Sequence, residues 1–425
     1  MKKSFSAKKI ISIVSLSLMC ATAAEATPAF ARQMDMDCMS CHFQNVPKLN
    51  SFGREFKMSG FTMTSGKEEM KSTIAGGLGL PSILNMGLVL KARVLSDDKT
   101  ENTTLGKTTK TEIFDESAFI FGGKIADNVG TSMEVAAGGI FGGKVLFTTE
   151  ALSGRIGAAY ATTDALGAFA ATEIYTTGLY RPVRQFENRK KTNIFQDLGI
   201  GDGEASVVQA YYRANGLYAT VGGYTPTFAQ SSRTDSDGYK LLARAAYEFS
   251  VADTTMMFGG FYIGGDVGEE IITYNAADLE DETDLADFAA LDRTAYGIDF
   301  QVESAISNMP LMVTGAYVLK NDYNDLDATT GTVTNTQDIT GFHVDAQLNL
   351  TDKYGVKAAV LNHNDKKVDR DYNVYSAGLE YNMRQNVRFC LEYSYTSSDR
   401  PDSVGTSGTT VYSGSDILFM SMVAF

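Results

Sequence analysis

Apolar and polar residues alternate along many short segments of the chain from Ile83 onward. The alternation is clear in 296–303, 342–350 and 387–396, where every second residue is apolar. A period of two is typical of β-strands that have one apolar and one polar face. The pattern therefore predicts an all-β region over 79–425.

Short turns alternate with longer polar loops as the connections between these predicted strands. A soluble β-sandwich would also alternate, but this order of connections is typical of a transmembrane antiparallel β-barrel, here of about sixteen strands. The tight turns are predicted near 126–128, 163–166, 214–216, 251–253, 307–308, 351–353 and 384–386. The longer loops are predicted near 97–112, 140–152, 181–202, 227–236, 266–292, 323–336, 364–370 and 399–411.

The C-terminal segment 417–425 alternates too, and it ends on Phe425. It resembles the signal by which barrel precursors are recognised for outer-membrane assembly. A closed barrel pairs every backbone polar group with a neighbouring strand, as a lipid environment requires. An even number of strands places both termini on the periplasmic side. The lumen of such a barrel is wide, and we expect the N-terminal module to plug it.

The N-terminus has the features of a secretory signal peptide. Four lysines precede an apolar run over 10–19, and Ala29-Phe30-Ala31 forms a cleavage site. The predicted signal peptide is 1–31, so the mature chain begins at Arg32. It contains no later apolar run of about 20 residues, which a spanning helix needs. The formal charge of −14 argues against nucleic acid as a partner.

Residues 38–42 read Cys-Met-Ser-Cys-His, the C-x-x-C-H pattern that attaches a c-type haem. Cys38 and Cys41 would bind the haem vinyl groups through thioethers, and His42 is placed as the proximal iron ligand. The alternatives are a short-span disulfide or half of a zinc site. No second C-x-x-C follows, and Cys390 is the only later cysteine. The pattern therefore favours one covalent haem c in a module over 32–78.

The residues after the motif predict a helix that begins near Pro47 and ends near Gly60. We expect its apolar face to pack against the haem. Arg54 and Lys57 are candidates for contacts with the haem propionates, and solvated surface charges are the alternative. The apolar residues at helical spacing are Leu49, Phe52 and Phe56.

The N-terminal module resembles one family, the fused monohaem cytochrome–porins of the outer membrane, which include iron oxidases. The detailed match lies within 30–62, and Phe61 departs from it where tyrosine is expected. The resemblance implies electron transfer from extracellular Fe(II), through the haem, to a periplasmic carrier such as a soluble cytochrome. The matching residues are Ala31-Arg32-Gln33, the C-x-x-C-H-Phe-Gln motif, Pro47-x-Leu49-Asn50, Phe52-Gly53-Arg54-x-Phe56-Lys57 and Gly60-Phe61-Thr62.

The sixth ligand of the haem iron is left open by the sequence. Met58 and Met63 are the nearest methionines after the motif, although most of the 17 methionines must serve packing. His343 and His363 are the only other histidines, and alternation places both on the lumen side of adjacent strands near the outer end. Each is a candidate distal ligand or part of an iron-approach site, and an incidental lumen histidine is the alternative.

Two charged loops and one cysteine have less definite roles. The carboxylates of the loop 266–292 are oxygen donors that suit weak capture of Fe(II), or they are simply solvated. The basic stretch 181–191 is a candidate for contact with lipopolysaccharide phosphates, with solvation again the alternative. Cys390 is expected to face the lumen.

Two other functions remain open: a porin with a haem sensor or gate, and an electron conduit for another donor or acceptor.

Overall fold

The architecture is seen in a computed structural model of the 425-residue chain. The structure describes residues 28–43, 48–66, 69–71, 79–81, 85–99, 107–113, 117–136, 139–163, 186–188, 191–198, 205–226, 232–235, 239–264, 272–275, 294–321, 325–327, 332–334, 339–365, 370–384, 386–398 and 413–425.

Most of the described residues form β-strands, and four short helices accompany them. The helices are α1 (Pro28–Met34), α2 (Cys38–Cys41), α3 (Ser51–Met58) and α4 (Ile194–Asp197). The strands are β1 (Glu69–Lys71), β2 (Gly79–Pro81), β3 (Met86–Lys99), β4 (Lys107–Ile113), β5 (Ala118–Ala126), β6 (Val129–Ala136), β7 (Gly139–Ala151), β8 (Gly154–Thr163), β9 (Ala205–Ala214), β10 (Leu217–Pro226), β11 (Ser232–Asp235), β12 (Lys240–Val251), β13 (Thr254–Gly264), β14 (Ile272–Asn275), β15 (Thr294–Ile306), β16 (Met309–Asn321), β17 (Asp325–Asp327), β18 (Thr332–Thr334), β19 (Ile339–Asn349), β20 (Tyr354–Asp365), β21 (Arg370–Arg384), β22 (Val387–Ser398) and β23 (Gly414–Ala424).

The long strands form one closed antiparallel barrel. Each pairs with its neighbours in chain order, and β23 pairs with β3 to close the ring. β4 and β5 lie end to end along β3, pairing with its second and first halves, so they fill one strand position together. The described residues thus form a barrel of sixteen strand positions, as predicted. The pairs β1–β2, β11–β14 and β17–β18 stand outside it.

The barrel is apolar outside and polar inside. Because side chains of a strand point alternately to its two faces, each strand contributes to both surfaces. This is the arrangement of a barrel that spans a membrane, with its apolar face towards lipid. Exposed apolar side chains of the outer surface include Phe147, Tyr160, Val221, Phe258, Ile298, Leu379, Tyr393 and Ile417. Buried polar side chains of the inner surface include Gln209, Arg244, Asp299, Gln301, Asp345, Lys357, Glu380 and Glu392.

Seven short connections lie at one end of the barrel, which we call the turn end; the opposite end is the loop end. Six of the seven predicted tight turns are found there. The turn predicted at 163–166 is wrong: β7 and β8 are joined at 151–154, and the predicted loop 140–152 lies almost wholly within β7. The short connections are 126–129, 151–154, 214–217, 251–254, 306–309, 349–354 and 384–387.

The N-terminal module lies inside the barrel, towards the turn end. Its contacts run round the circumference, which only a segment within the lumen can make, so the predicted plug is present. α1 spans the predicted cleavage point, and residues from 32 onward contact the inner wall. These contacts join Cys38 to Val89 and Ala424, Gln33 to Lys124, Met58 to Tyr211, Glu55 to Arg213, Arg54 to Glu248 and Glu303, and Lys48 to Thr314 and Asp345.

A second segment, which we call the inner loop, is described at 186–188 and 191–198 and lies in the lumen nearer the loop end. Ile194 and Phe195 are completely buried, and with Leu198 they belong to one apolar cluster with inward side chains of eight strands from β8 to β21. The described residues thus obstruct the lumen at two levels. No helix among them is long and apolar enough to cross a membrane.

Candidate functional site

The C-x-x-C-H motif forms a single helical turn followed by extended backbone. Asp37 caps α2, because its carboxylate accepts a hydrogen bond from the Ser40 amide at 3.0 Å. The amide of His42 donates to the carbonyl oxygen of Cys38 at 2.9 Å, which ends the turn. The local fold therefore presents both thiols and the imidazole from six consecutive residues, 37–42.

Asn50 holds this turn from the far side. Its side-chain amide donates to the carbonyl oxygens of Ser40 and His42 at 3.0 and 3.3 Å, while its oxygen accepts from the Gly53 amide at 2.9 Å. Its backbone amide also donates to the carbonyl oxygen of Cys41 at 3.0 Å. One side chain thus caps α3 and fixes the motif. The helix begins at Ser51, later than predicted, and Leu49 lies before it in a bridge to His42.

Gly53 allows α3 to lie directly against the motif. A Cβ at this position would collide with the carbonyl oxygen of Cys41 and crowd the Leu49 side chain. A larger residue would therefore push the helix and the haem-attachment turn apart. The close approach of the two backbones explains why glycine occupies this position.

Buried ion pairs fasten the module to the inner wall. Lys48 lies 2.6 Å from Asp345, and both side chains are almost completely buried. The guanidinium of Arg54 lies 2.6 Å from both Glu248 and Glu303. Burial lowers the pKa of Lys48, against the opposing pull of Asp345. Burial would also lower the pKa of Arg54, but the two glutamates outweigh it and raise that pKa.

Arg54 and Lys57 are buried rather than solvated, so the surface-charge alternative is wrong for both. Arg54 also donates to the carbonyl oxygen of Leu49 at 2.9 Å, and its Nη2 is buried without a hydrogen-bond partner in the described part of the chain. This nitrogen retains donor capacity towards an anionic oxygen. A contact of either residue with a haem propionate stays a prediction.

The donor set fits a c-type haem. Two cysteines three residues apart and an adjacent histidine share one turn, and neither cysteine is in a disulfide. Burial, followed by the charges of Cys38 and Asp37, raises the pKa of the Cys41 thiol to about 11. No group of three or more His, Cys, Asp or Glu side chains among the described residues is arranged to hold a metal ion, so the zinc alternative lacks its remaining ligands there.

Met58 and Met63 lie away from the cluster that contains Cys38. Met58 is completely buried among aromatic side chains of the module and the wall, and Met63 packs at the edge of this cluster. The carbonyl oxygen of Met58 accepts a hydrogen bond from the Tyr211 hydroxyl at 2.8 Å. Cys38 instead packs against Ala424 in a separate cluster. Their role as distal ligands stays a prediction.

The two later histidines face the lumen on adjacent strands near the loop end, as alternation predicts. Both contact the segment 186–198. His343 Nδ1 accepts a hydrogen bond from the amide of Ile194 at 3.3 Å. His363 Nδ1 lies 2.7 Å from Asp197, and the imidazole stacks on Tyr372. The structure thus brings each histidine to the inner loop, and His343 also lies 3.8 Å from Asp345, the partner of Lys48. A role of either histidine as ligand or iron-approach site stays a prediction.

The inner loop is held by further polar contacts. Glu392 accepts hydrogen bonds from the amides of Glu187 and Asn188 at 2.9 and 3.1 Å, and from Lys357 at 2.9 Å. Lys191, a member of the basic stretch, donates to the Thr396 hydroxyl at 2.8 Å and is partly exposed, so its contact with lipopolysaccharide phosphates stays a prediction. The other members of the basic stretch and the acidic residues of 266–292 lie outside the described residues. They are Arg181, Arg184, Arg189, Lys190, Asp266, Glu269, Glu270, Asp278, Glu280, Asp281, Glu282, Asp284 and Asp287.

The anchors of the module were missed by sequence reasoning. Asn50 had a local signature, since asparagine before a helix is a favoured N-cap, but its bonds to the motif depend on the tertiary fold. Lys48, Glu248 and Asp345 had none, because each is one charge among many in the sequence.

Cys390 faces the lumen as expected and packs with apolar side chains of β23.

Comparisons with known proteins concern the barrel. The chain resembles the anion-selective porin from Comamonas acidovorans, with 11% identity, 80% of this chain and 98% of that chain covered, and a TM-score of 0.49. It also resembles the outer membrane channel DcaP of Acinetobacter baumannii, with 10% identity, 80% and 96% covered, and a TM-score of 0.48. No protein-family model matches the chain. No curated protein matches its sequence.

Proposed function

We propose that this chain is an outer-membrane cytochrome–porin that passes electrons from extracellular Fe(II), through one covalent haem c, to a periplasmic carrier. The observation that supports it is the position of the C-x-x-C-H turn, inside a closed barrel and beside its turn end. In this proposal the turn end is periplasmic, as are both termini, and the outer face of the barrel contacts outer-membrane lipid.

The residues of the motif divide the work. Cys38 and Cys41 hold the cofactor through thioethers, and His42 supplies the proximal nitrogen. When bound, the haem would supply a one-electron carrier between Fe(II), the electron donor, and the periplasmic carrier, the electron acceptor. Asn50 and Gly53 keep the turn in place against α3, so the two cysteines and the histidine would be held in position for the cofactor.

The two plugs explain why a barrel suits this task. A membrane insulates, so an electron route must be built through it, while ferric product should stay outside the cell. The N-terminal module at the turn end and the segment 186–198 nearer the loop end obstruct the lumen. Electrons can pass between closely packed groups where ions cannot. The barrel is then a sheath for the haem rather than a solute channel.

The test is transfer across a membrane. The detergent-purified holoprotein is reconstituted into liposomes that enclose oxidised cytochrome c, and Fe(II) is added outside. The proposal predicts reduction of the enclosed cytochrome that depends on the protein and is lost in His42→Ala, together with a very low ionic conductance of the same barrels in planar bilayers. Reduction that is absent while the barrels conduct freely would favour a porin with a haem gate. If another electron donor reduces the enclosed cytochrome and Fe(II) does not, the result would favour an electron conduit whose donor is not iron.

A further inference from the structure

We propose that Met422, on the inner face of β23, is the sixth ligand of the haem iron. The inference rests on the proposed function, because it needs a haem at Cys38 and Cys41. Met422 belongs to the barrel wall, nearly four hundred positions from the motif. The candidates for this role from the sequence were Met58, Met63, His343 and His363.

The position of Cys38 carries the inference. Its side chain packs against Ala424 of β23 and Val89 of β3 on the inner wall. Met422 is the next inward residue of β23, so it lies about 7 Å further into the lumen along the strand. That distance is smaller than the breadth of a porphyrin ring. A macrocycle bonded at Cys38 and extending into the lumen therefore comes within reach of Met422.

The inner face of β23 is apolar at this point. Leu418, Met420 and Met422 are buried inward residues of β23, and they pack with Cys390 and with Val89. Val89 belongs to the surroundings of both Cys38 and this cluster, so the two are continuous. A haem is a large apolar disc, and an apolar wall beside its attachment point is the surface that it would cover.

The charged neighbours of Met422 are occupied. In the strand pairing Met422 lies opposite Arg388 on β22 and Lys91 on β3. Arg388 donates to Glu380 at 2.9 Å, and Lys91 lies 3.3 Å from Glu187. Each cation is therefore engaged with a carboxylate. Of the two buried thioethers of β23, that of Met422 lies one inward position from Ala424 and that of Met420 lies two, so Met422 is the nearer of them to Cys38.

The ligand type suits the proposed chemistry. A methionine opposite histidine raises the reduction potential of a c-type haem above that of a bis-histidine site. A haem that accepts electrons from Fe(II) needs a high potential. Met58 has the same donor atom, but it is packed among aromatic side chains in a different cluster, with Tyr211 bonded to its carbonyl oxygen.

The test is the near-infrared absorption of the ferric holoprotein, where sulfur-to-iron charge transfer gives a weak band only when methionine is the ligand. Met422→Leu should abolish the band and lower the midpoint potential, with covalent haem retained. Met422→His should restore a low-spin visible spectrum without the band, at a lower potential than wild type. Met420→Leu makes the same change one inward position away and should keep the band.

The outcomes separate the inference from the function on which it rests. Loss of the band in Met58→Leu or Met63→Leu, with the band kept in Met422→Leu, would overturn the assignment while leaving the cytochrome intact. A wild-type holoprotein with covalent haem and no such band would overturn it too. Absence of covalent haem from the wild-type protein, matured with its haem-attachment machinery, would overturn both proposals. Heat-dependent migration of the barrel in detergent gels confirms that each variant is folded.

Discussion

The ammonium group of Lys48 and the carboxylate of Asp345 lie 2.6 Å apart in the barrel interior, although 297 residues separate them in the chain. The same ammonium group lies 2.7 Å from the Thr314 hydroxyl. Lys48 adjoins Leu49, which bridges to His42. This pair therefore ties the haem-attachment segment to β19, on a part of the wall remote from Cys38.

Asp345→Asn should loosen the module within the lumen. Removing one partner of a buried ion pair leaves the other charge uncompensated, at a cost of about 3–5 kcal/mol. We expect a lower apparent melting temperature in detergent and faster trypsin cleavage within 32–66. The double variant Lys48→Met, Asp345→Leu should recover much of the loss, because neither charge then remains buried.

The matched control is Asp127→Asn, which alters an exposed pair with Lys124 at the turn end. Exposed pairs contribute little to stability, so this variant should behave as wild type. A module equally resistant to trypsin in Asp345→Asn and in wild type would contradict the anchoring role.

Gly53→Ala should disturb the haem-attachment turn. The added methyl group has no room against the carbonyl oxygen of Cys41, and overpacking of this kind costs about 1–3 kcal/mol. We expect a smaller yield of covalent haem per folded barrel, measured as the ratio of the haem absorbance to protein. Gly260→Ala is the control, because its Cβ meets only one atom, at an ordinary 3.4 Å. An unchanged ratio of haem absorbance to protein in Gly53→Ala would contradict this prediction, because α3 would then have moved away from the motif without loss of haem attachment.

Removal of both motif cysteines should abolish covalent haem. Cys38→Ala combined with Cys41→Ala leaves no thioether, so the denatured chain should lose the added mass of one haem in intact-mass spectrometry. Cys390→Ala removes a buried cysteine that packs on β23, and this control should retain the full mass. Haem mass that depends on Cys390 would contradict the assignment of the motif.

Glu392→Gln should weaken closure nearer the loop end. The carboxylate accepts from two loop amides and from Lys357, and loss of hydrogen bonds to a charged group costs about 1.5–3 kcal/mol each. Because the N-terminal module also obstructs the lumen, Glu392→Gln is combined with Asp345→Asn. We expect a higher single-channel conductance or more frequent brief openings in planar bilayers than in Asp345→Asn alone. Tyr393→Phe changes the next residue, on the outer face, and should leave conductance unchanged. A conductance that Glu392→Gln leaves unchanged would mean that the inner loop is held by its apolar contacts alone.

Much of the barrel was predictable because its pattern is local. Alternation identifies strands, and turns such as Asn215-Gly216 carry residues that favour positive φ. The missed turn shows the limit: Leu152 and Ser153 both adopt positive φ, at 54° and 59°, although neither residue type favours that conformation. The sequence therefore placed that turn one strand too late.

The candidate site also has a part that is predictable from local sequence and a part that is not. The C-x-x-C-H motif is readable because its chemistry needs adjacent residues. Met422 is not readable, because its nearness to Cys38 arises when β23 pairs with β3 and closes the ring. Lys48 and Asp345 meet only after the module has entered the lumen. Contacts that form when the barrel closes, or when the module enters its lumen, join residues that have no characteristic spacing in the sequence.

The most direct test of the account is an anaerobic visible spectrum of the detergent-purified holoprotein, recorded before and after addition of Fe(II). We predict that the sharp bands of a reduced c-type haem appear within seconds, and that His42→Ala does not give them. Bands that appear with dithionite but not with Fe(II) would contradict iron as the electron donor, while leaving the haem and the barrel in place.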